Sequence, residues 1–97
     1  MSPQRTHAYR RVLQTLDDLG PSKLQSREQD RIRYAADNLI FCADLAVDEA
    51  AQEALADTRL LLDNLVESGR WERVTADRLA GDLLECGPMP LVELEAA

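Results

Sequence analysis

The chain has 97 residues, enough for one small domain, with 45% hydrophobic residues and a formal net charge of −7. That hydrophobic share excludes a generally disordered chain. The excess of carboxylates excludes a general nucleic-acid or anionic-membrane binder, because phosphate contacts need clustered Lys and Arg. Aromatic residues make up only 4% while Ala and Leu abound, so helices are favoured over a β-sandwich.

The first predicted helix runs from Pro3 to Leu19. Ser2 suits the N-cap, and Pro3 suits the first turn, where a missing N–H costs nothing. Tyr9, Val12, Leu13, Leu16 and Leu19 recur at steps of three and four and form one apolar stripe. Gly20-Pro21 then stops the helix: Gly takes the left-handed conformation past its end, and Pro blocks continuation.

A second helix is predicted from Ser26, whose spacing to Gln29 gives a capping box. Its main stripe is Ile32, Ala35, Ala36, Leu39 and Ala43, with Ile40 on the flank. At 100° per residue, Tyr34 and Phe41 fall on the opposite side, seven residues apart, with Leu45 nearby. A helix apolar on two sides is either central in its bundle or reserved for another chain.

The third helix is predicted over Val47 to Glu67, with a wide apolar face of Val47, Ala50, Ala51, Ala54, Leu55, Leu61, Leu62, Leu65 and Val66. Asp48, Glu49 and Glu53 stand at its start, where carboxylates meet the positive end of the helix dipole. Neither Gly nor Pro separates it from the helix before, so one long bent helix is an alternative to a tight turn at Asp44–Val47. Ser68-Gly69 closes it.

The fourth helix is short. Thr75 is the expected cap, Val74 the expected staple against Leu79, and Leu79, Leu83 and Cys86 line one face. Gly87-Pro88 ends it. The remainder, 88–97, is predicted extended or loose, with Pro90, Val92 and Leu94 on one side of a period-two pattern. The expected fold is therefore all-α, a single helical domain over 1–87 built as a bundle of about four helices, or a long hairpin with two shorter additions. Val12, Leu13, Leu16, Ile32, Leu39, Leu55, Leu62 and Leu65 are the candidate core.

Catalytic chemistry finds little support. His7 is the single imidazole and has no nucleophile beside it. Cys42 and Cys86 lack the spacing of a zinc or redox motif and read as buried thiols in a reducing compartment. The carboxylate pairs Asp44/Asp48, Glu49/Glu53 and Asp63/Glu67 come without the Glu-x-x-His motifs of a di-metal bundle. No phosphate-binding loop and no calcium loop is present, so neither metal nor cofactor is expected. Val74–Leu83 resembles the opening helix of a helix-turn-helix, but Gly87-Pro88-Met89-Pro90 leaves no recognition helix to follow. The N-terminus lacks the apolar run of a secretory signal, and no stretch approaches the ~18–20 apolar residues of a membrane span. A cytoplasmic chain without membrane contact is expected.

Charge is divided along the chain: residues 1–33 carry seven basic and four acidic groups, and residues 34–97 carry four basic and fourteen acidic ones. Two functions fit this inventory. The first is a non-enzymatic protein-interaction module, a regulatory adaptor or inhibitor able to self-associate as a homodimer. It would use Tyr34, Phe41 and Leu45 together with Trp71 and its flanking Arg70 and Arg73. The second is an acidic inhibitor that imitates nucleic acid, with Asp48, Glu49, Glu53, Asp57, Asp63 and Glu67 standing in for phosphates in a basic groove. Salt separates them, since a charge mimic loses its partner steeply as ionic strength rises.

Overall fold

The computed structural model describes residues 3–88 as four helices, α1 (Pro3–Lys23), α2 (Ser26–Ile40), α3 (Glu49–Glu67) and α4 (Arg73–Cys86). No strand occurs among the described residues. The Ser2 cap and the apolar series at Pro90, Val92 and Leu94 lie outside them. Neighbouring helices run antiparallel, with α1 packed on α4 and α2 on α3. Side-chain pairs fix these directions: Tyr9 with Asp37, Arg31 with Asp57, Arg73 with Asp63, and Arg11 with Asp82. α2 and α4 touch across one diagonal of the bundle, whereas α1 and α3 share no contact.

The apolar stripes turn inward as their spacing requires. Val12, Leu16, Ile32, Ala35, Ala36, Leu39, Leu61, Leu62, Leu65, Leu79, Leu83 and Cys86 are buried in one cluster. Leu55 and Val66 are half-buried against it. Thr58 is the only buried polar side chain among the described residues, and it donates to Ala54 O at 2.9 Å, so its hydroxyl is satisfied within its own helix. Ala8, Leu24 and Ala76, outside the expected stripes, also belong to the core, Ala8 and Leu24 fully buried. Leu24 sits in the short connection between α1 and α2 and closes that end from below.

Several expected boundaries shift, each for a local reason. Gly20 does take a positive φ of 69°, but helical backbone resumes beyond it as far as Lys23. A ψ of 178° in that region is open to glycine alone, so the long helix breaks at Gly20 as expected and a further short helical piece follows across the kink. The cap of α2 is Gln25 rather than Ser26. Its N–H donates to Glu28 Oε1 at 2.8 Å, and a carboxylate is a better acceptor there than the amide of Gln29.

α2 and α3 are separate helices. Asp44 Oδ1 accepts from Ala46 N–H at 3.0 Å, and Asp48, the N-cap of α3, accepts from Ala51 N–H at 3.0 Å. Two aspartates thus do what Gly or Pro would otherwise do, by offering the backbone a competing acceptor. Because α2 stops at Ile40 and α3 starts at Glu49, Ala43, Val47 and Ala50 leave the buried stripe and are exposed. Leu13 is half-exposed instead of core. At the fourth helix Glu72 replaces Thr75 as cap, and Val74 is 58% exposed rather than stapled to Leu79.

Candidate functional site

Each end of the bundle is tied by an arginine from a terminus or turn. At one end Arg70 donates to both oxygens of Glu28, at 2.8 and 2.9 Å, and to Lys23 O at 3.2 Å. The Arg70 guanidinium, with help from the Gln25 N–H, holds the Glu28 carboxyl below the usual carboxylate range even though partial desolvation pushes it up. Trp71 is buried beside this pair and its Nε1–H donates to Lys23 O at 2.9 Å. Gly69, at φ 78°, makes the reversal that brings both residues back over α1. Of the expected partner-binding group at this turn, Trp71 and Arg70 are therefore engaged within the chain, and Arg73 pairs with Asp63 at 3.1 Å.

At the opposite end Arg5, in the first turns of α1, donates Nε–H to Cys86 O at 2.8 Å. Its Nη2 donates to Leu39 O at 2.7 Å, Ile40 O at 3.1 Å and Cys42 O at 2.7 Å. The carbonyls at the C-terminal ends of α2 and α4 lack partners inside their own helices and carry the negative end of the helix dipole. One guanidinium answers both ends. Nothing in the sequence pattern singles out Arg5, because its partners are backbone atoms contributed from 34 to 81 residues away.

Tyr34 and Phe41 lie on the side of α2 turned away from the core, 60% and 78% exposed. Leu45 parts from them and packs against the core. Val47, in the turn that follows Phe41, is also exposed, at 76%. Covering a large apolar side chain is worth about 1.5–3 kcal/mol, so burying Tyr34 and Phe41 against a partner would supply binding energy on this side of α2. Arg27, Asp30, Arg31 and Asn38 share that side of the helix, with Asp37 on the flank. Asn38 Nδ2 donates to Tyr34 O at 2.8 Å, Tyr9 donates its hydroxyl to Asp37, and Arg31 pairs with Asp57 at 2.7 Å.

The acidic residues of α3 divide. Glu49, Glu53, Asp63 and Glu67 follow the outer side of the helix, and Leu60, 65% exposed, sits among them. Asp48 is occupied as the N-cap, Asp57 is held by Arg31 and Asp63 by Arg73. A cleft of about 370 Å³ between α3 and α4 is lined by Arg59, Asp63, Arg73 and Asp77 over Leu62, Ala76 and Ala80, with its charges balanced. Among the described residues no three His, Cys, Asp or Glu side chains are grouped to hold a metal ion, and no helix is long and apolar enough to cross a membrane.

The two thiols are buried and unpaired by a disulfide. Burial pushes Cys86 up to about 11, with Asp82 adding to the effect, and burial followed by the Asp48 hydrogen bond raises Cys42. A thiol held protonated is a poor nucleophile. Native protein at neutral pH is expected to react with an aromatic disulfide reagent roughly a hundredfold more slowly at Cys86 than denatured protein does. Equal rates in the two states, followed by absorbance, would show that the thiol is reachable without unfolding.

The chain matches no family model, no curated protein and no solved structure.

Proposed function

We propose that the chain acts without catalysis, as a protein-interaction module of the adaptor or inhibitor kind, and docks through the outer face of α2. The observation that carries this reading is the pairing of Tyr34 and Phe41, two turns apart on one side of a helix whose other side buries Ile32, Ala35, Ala36, Leu39 and Ile40 in the core. An exposed aromatic strip rimmed by Arg27, Asp30 and Asn38 has the make-up of an interface core with a polar rim. The rival reading, an acidic mimic of nucleic acid, draws on Glu49, Glu53 and Glu67, which are exposed on α3. It is the weaker because three of its six carboxylates serve the chain's own cap and ion pairs.

The experiment is affinity capture of partners by three forms of the protein, each washed at low and high salt. Phe41→Asp is expected to lose the bound partner, while the Glu49→Lys/Glu53→Lys/Glu67→Lys variant keeps it, and the wild-type complex survives the salt wash. A partner retained by Phe41→Asp but released by salt or by the triple charge reversal would transfer the function to the acidic side of α3.

A further inference from the structure

The outer side of α2 is complementary to itself. Arg27, Tyr34 and Phe41 are spaced by seven residues, two helical turns, and so fall along one line with Tyr34 at its middle. The N-terminal half of this face carries Arg27 beside Asp30, with Arg33 on the flank, while Arg31 is already held by Asp57. The C-terminal half carries Asp37 and the aromatic ring of Phe41, and Asp44 follows in the turn. We infer that the occupant of this face is a second copy of the chain, its α2 laid antiparallel across a two-fold axis at Tyr34. The inference rests on reading this face as a docking surface.

In that arrangement the Arg27 end of each face lies on the other copy's Phe41 end, whereas a parallel pairing in register sets Arg27 against Arg27 and Asp37 against Asp37. Arg27, at the first turn of α2, meets the second copy's Phe41 from the side, so a guanidinium packs on an aromatic ring at both ends of the contact. The two Tyr34 rings meet at the centre. On one flank Asp30 comes alongside the second copy's Asp37. There Arg33, three residues from Asp30 and four from Asp37 on the same helix, supplies the counter-charge in each copy. The helix spans about 22 Å at 1.5 Å per residue. A single pair of helix faces that long covers less than the ~800 Å² per partner of a standard interface, so a weak, concentration-dependent dimer is expected.

Sedimentation from low-micromolar to sub-millimolar concentration is expected to show a monomer–dimer equilibrium, weakened at least about tenfold by Phe41→Asp. Orientation is read from single cysteines. Tyr34→Cys places two thiols together at the axis, and diamide, by taking up two protons and two electrons, joins them as a disulfide-linked dimer. Asn38→Cys places its thiols about 12 Å apart along the helices, beyond the reach of a disulfide. Wild-type protein, with Cys42 and Cys86 buried, sets the background.

A dimer cross-linked through Cys at position 34 and not through position 38 is the expected result. Equal cross-linking at both positions means a parallel pair, and a dimer that cross-links at neither is built on another surface; either overturns the inference. A chain that stays monomeric throughout, yet captures a partner that Phe41→Asp loses, overturns the second copy and leaves the α2 face as a docking surface. A monomer whose partners ignore Phe41→Asp overturns both readings.

Discussion

Leu39→Asp is expected to abolish the cooperative thermal transition, while Phe41→Asp, the same change of charge two residues along the same helix, is expected to keep it within a few degrees of wild type. Leu39 is fully buried and lies against α4, where a methyl carbon placed on Gly87 would come within 3.2 Å of Leu39 Cδ2. A carboxylate at that position loses its water, and Arg5, the cation at that end of the bundle, is already spread over four backbone carbonyls. An unpaired buried charge costs at least several kcal/mol, against a total stability of about 5–15 kcal/mol for a domain of this size. Phe41 is 78% exposed, so its replacement removes almost no buried area and gives the new carboxylate to solvent. Circular dichroism on heating separates the two outcomes. Cooperative melting of Leu39→Asp would mean that the buried stripe of α2 is drawn on the wrong side, and collapse of Phe41→Asp would return that ring to the core.

The contrast between those two positions was legible from spacing alone, because a helix repeats every 3.6 residues and Leu39 and Phe41 differ by 200°. The same arithmetic gave four helices and most of the core, from Val12 and Leu16 through Leu83 and Cys86. It failed where a helix ended without Gly or Pro. Ala43, Val47 and Ala50 continue the apolar period of their neighbours, but Asp44 and Asp48 accept backbone N–H groups and hold the chain in a turn. Leu24 was missed for a related reason: it belongs to a connection of two residues, too short to show any period, and is buried only because the helices on either side close over it. At the candidate site, periodicity placed Tyr34 and Phe41 correctly on the outside but carried Leu45 with them. Trp71 and Arg70 looked available because their partners, Lys23 O and Glu28, stand more than forty residues away. Contacts from side chain to remote backbone leave no trace in a sequence, and both ends of this bundle are tied in that way.

The second of those ties predicts the other large effect. Arg5→Met, which keeps the apolar stem and removes the guanidinium, is expected to destabilise the fold by about 2–4 kcal/mol, the range for losing several charge-assisted hydrogen bonds to partly buried acceptors. The four carbonyls it serves belong to Leu39, Ile40, Cys42 and Cys86, so α2 and α4 lose a common anchor and their C-terminal dipole ends lose their counter-charge. For a domain near a hundred residues this corresponds to a fall in Tm of roughly 8–30 °C. Arg5→Lys is expected to recover only part of the loss. An ammonium carries the charge but cannot hold the planar fork that reaches Cys86 O through Nε and the carbonyls of Leu39, Ile40 and Cys42 through Nη2. Equilibrium unfolding in urea checks all three proteins. A wild-type midpoint for Arg5→Met would mean that water serves these carbonyls as well as the guanidinium does. A full recovery by Arg5→Lys would assign the effect to charge at the helix ends rather than to geometry. With the expected order of wild type, Lys and Met, the junction of α1, α2 and α4 is held by directed hydrogen bonds. The turn bearing Phe41 and Val47 is then built on a fixed base, because Cys42, next to Phe41, is one of the residues Arg5 holds.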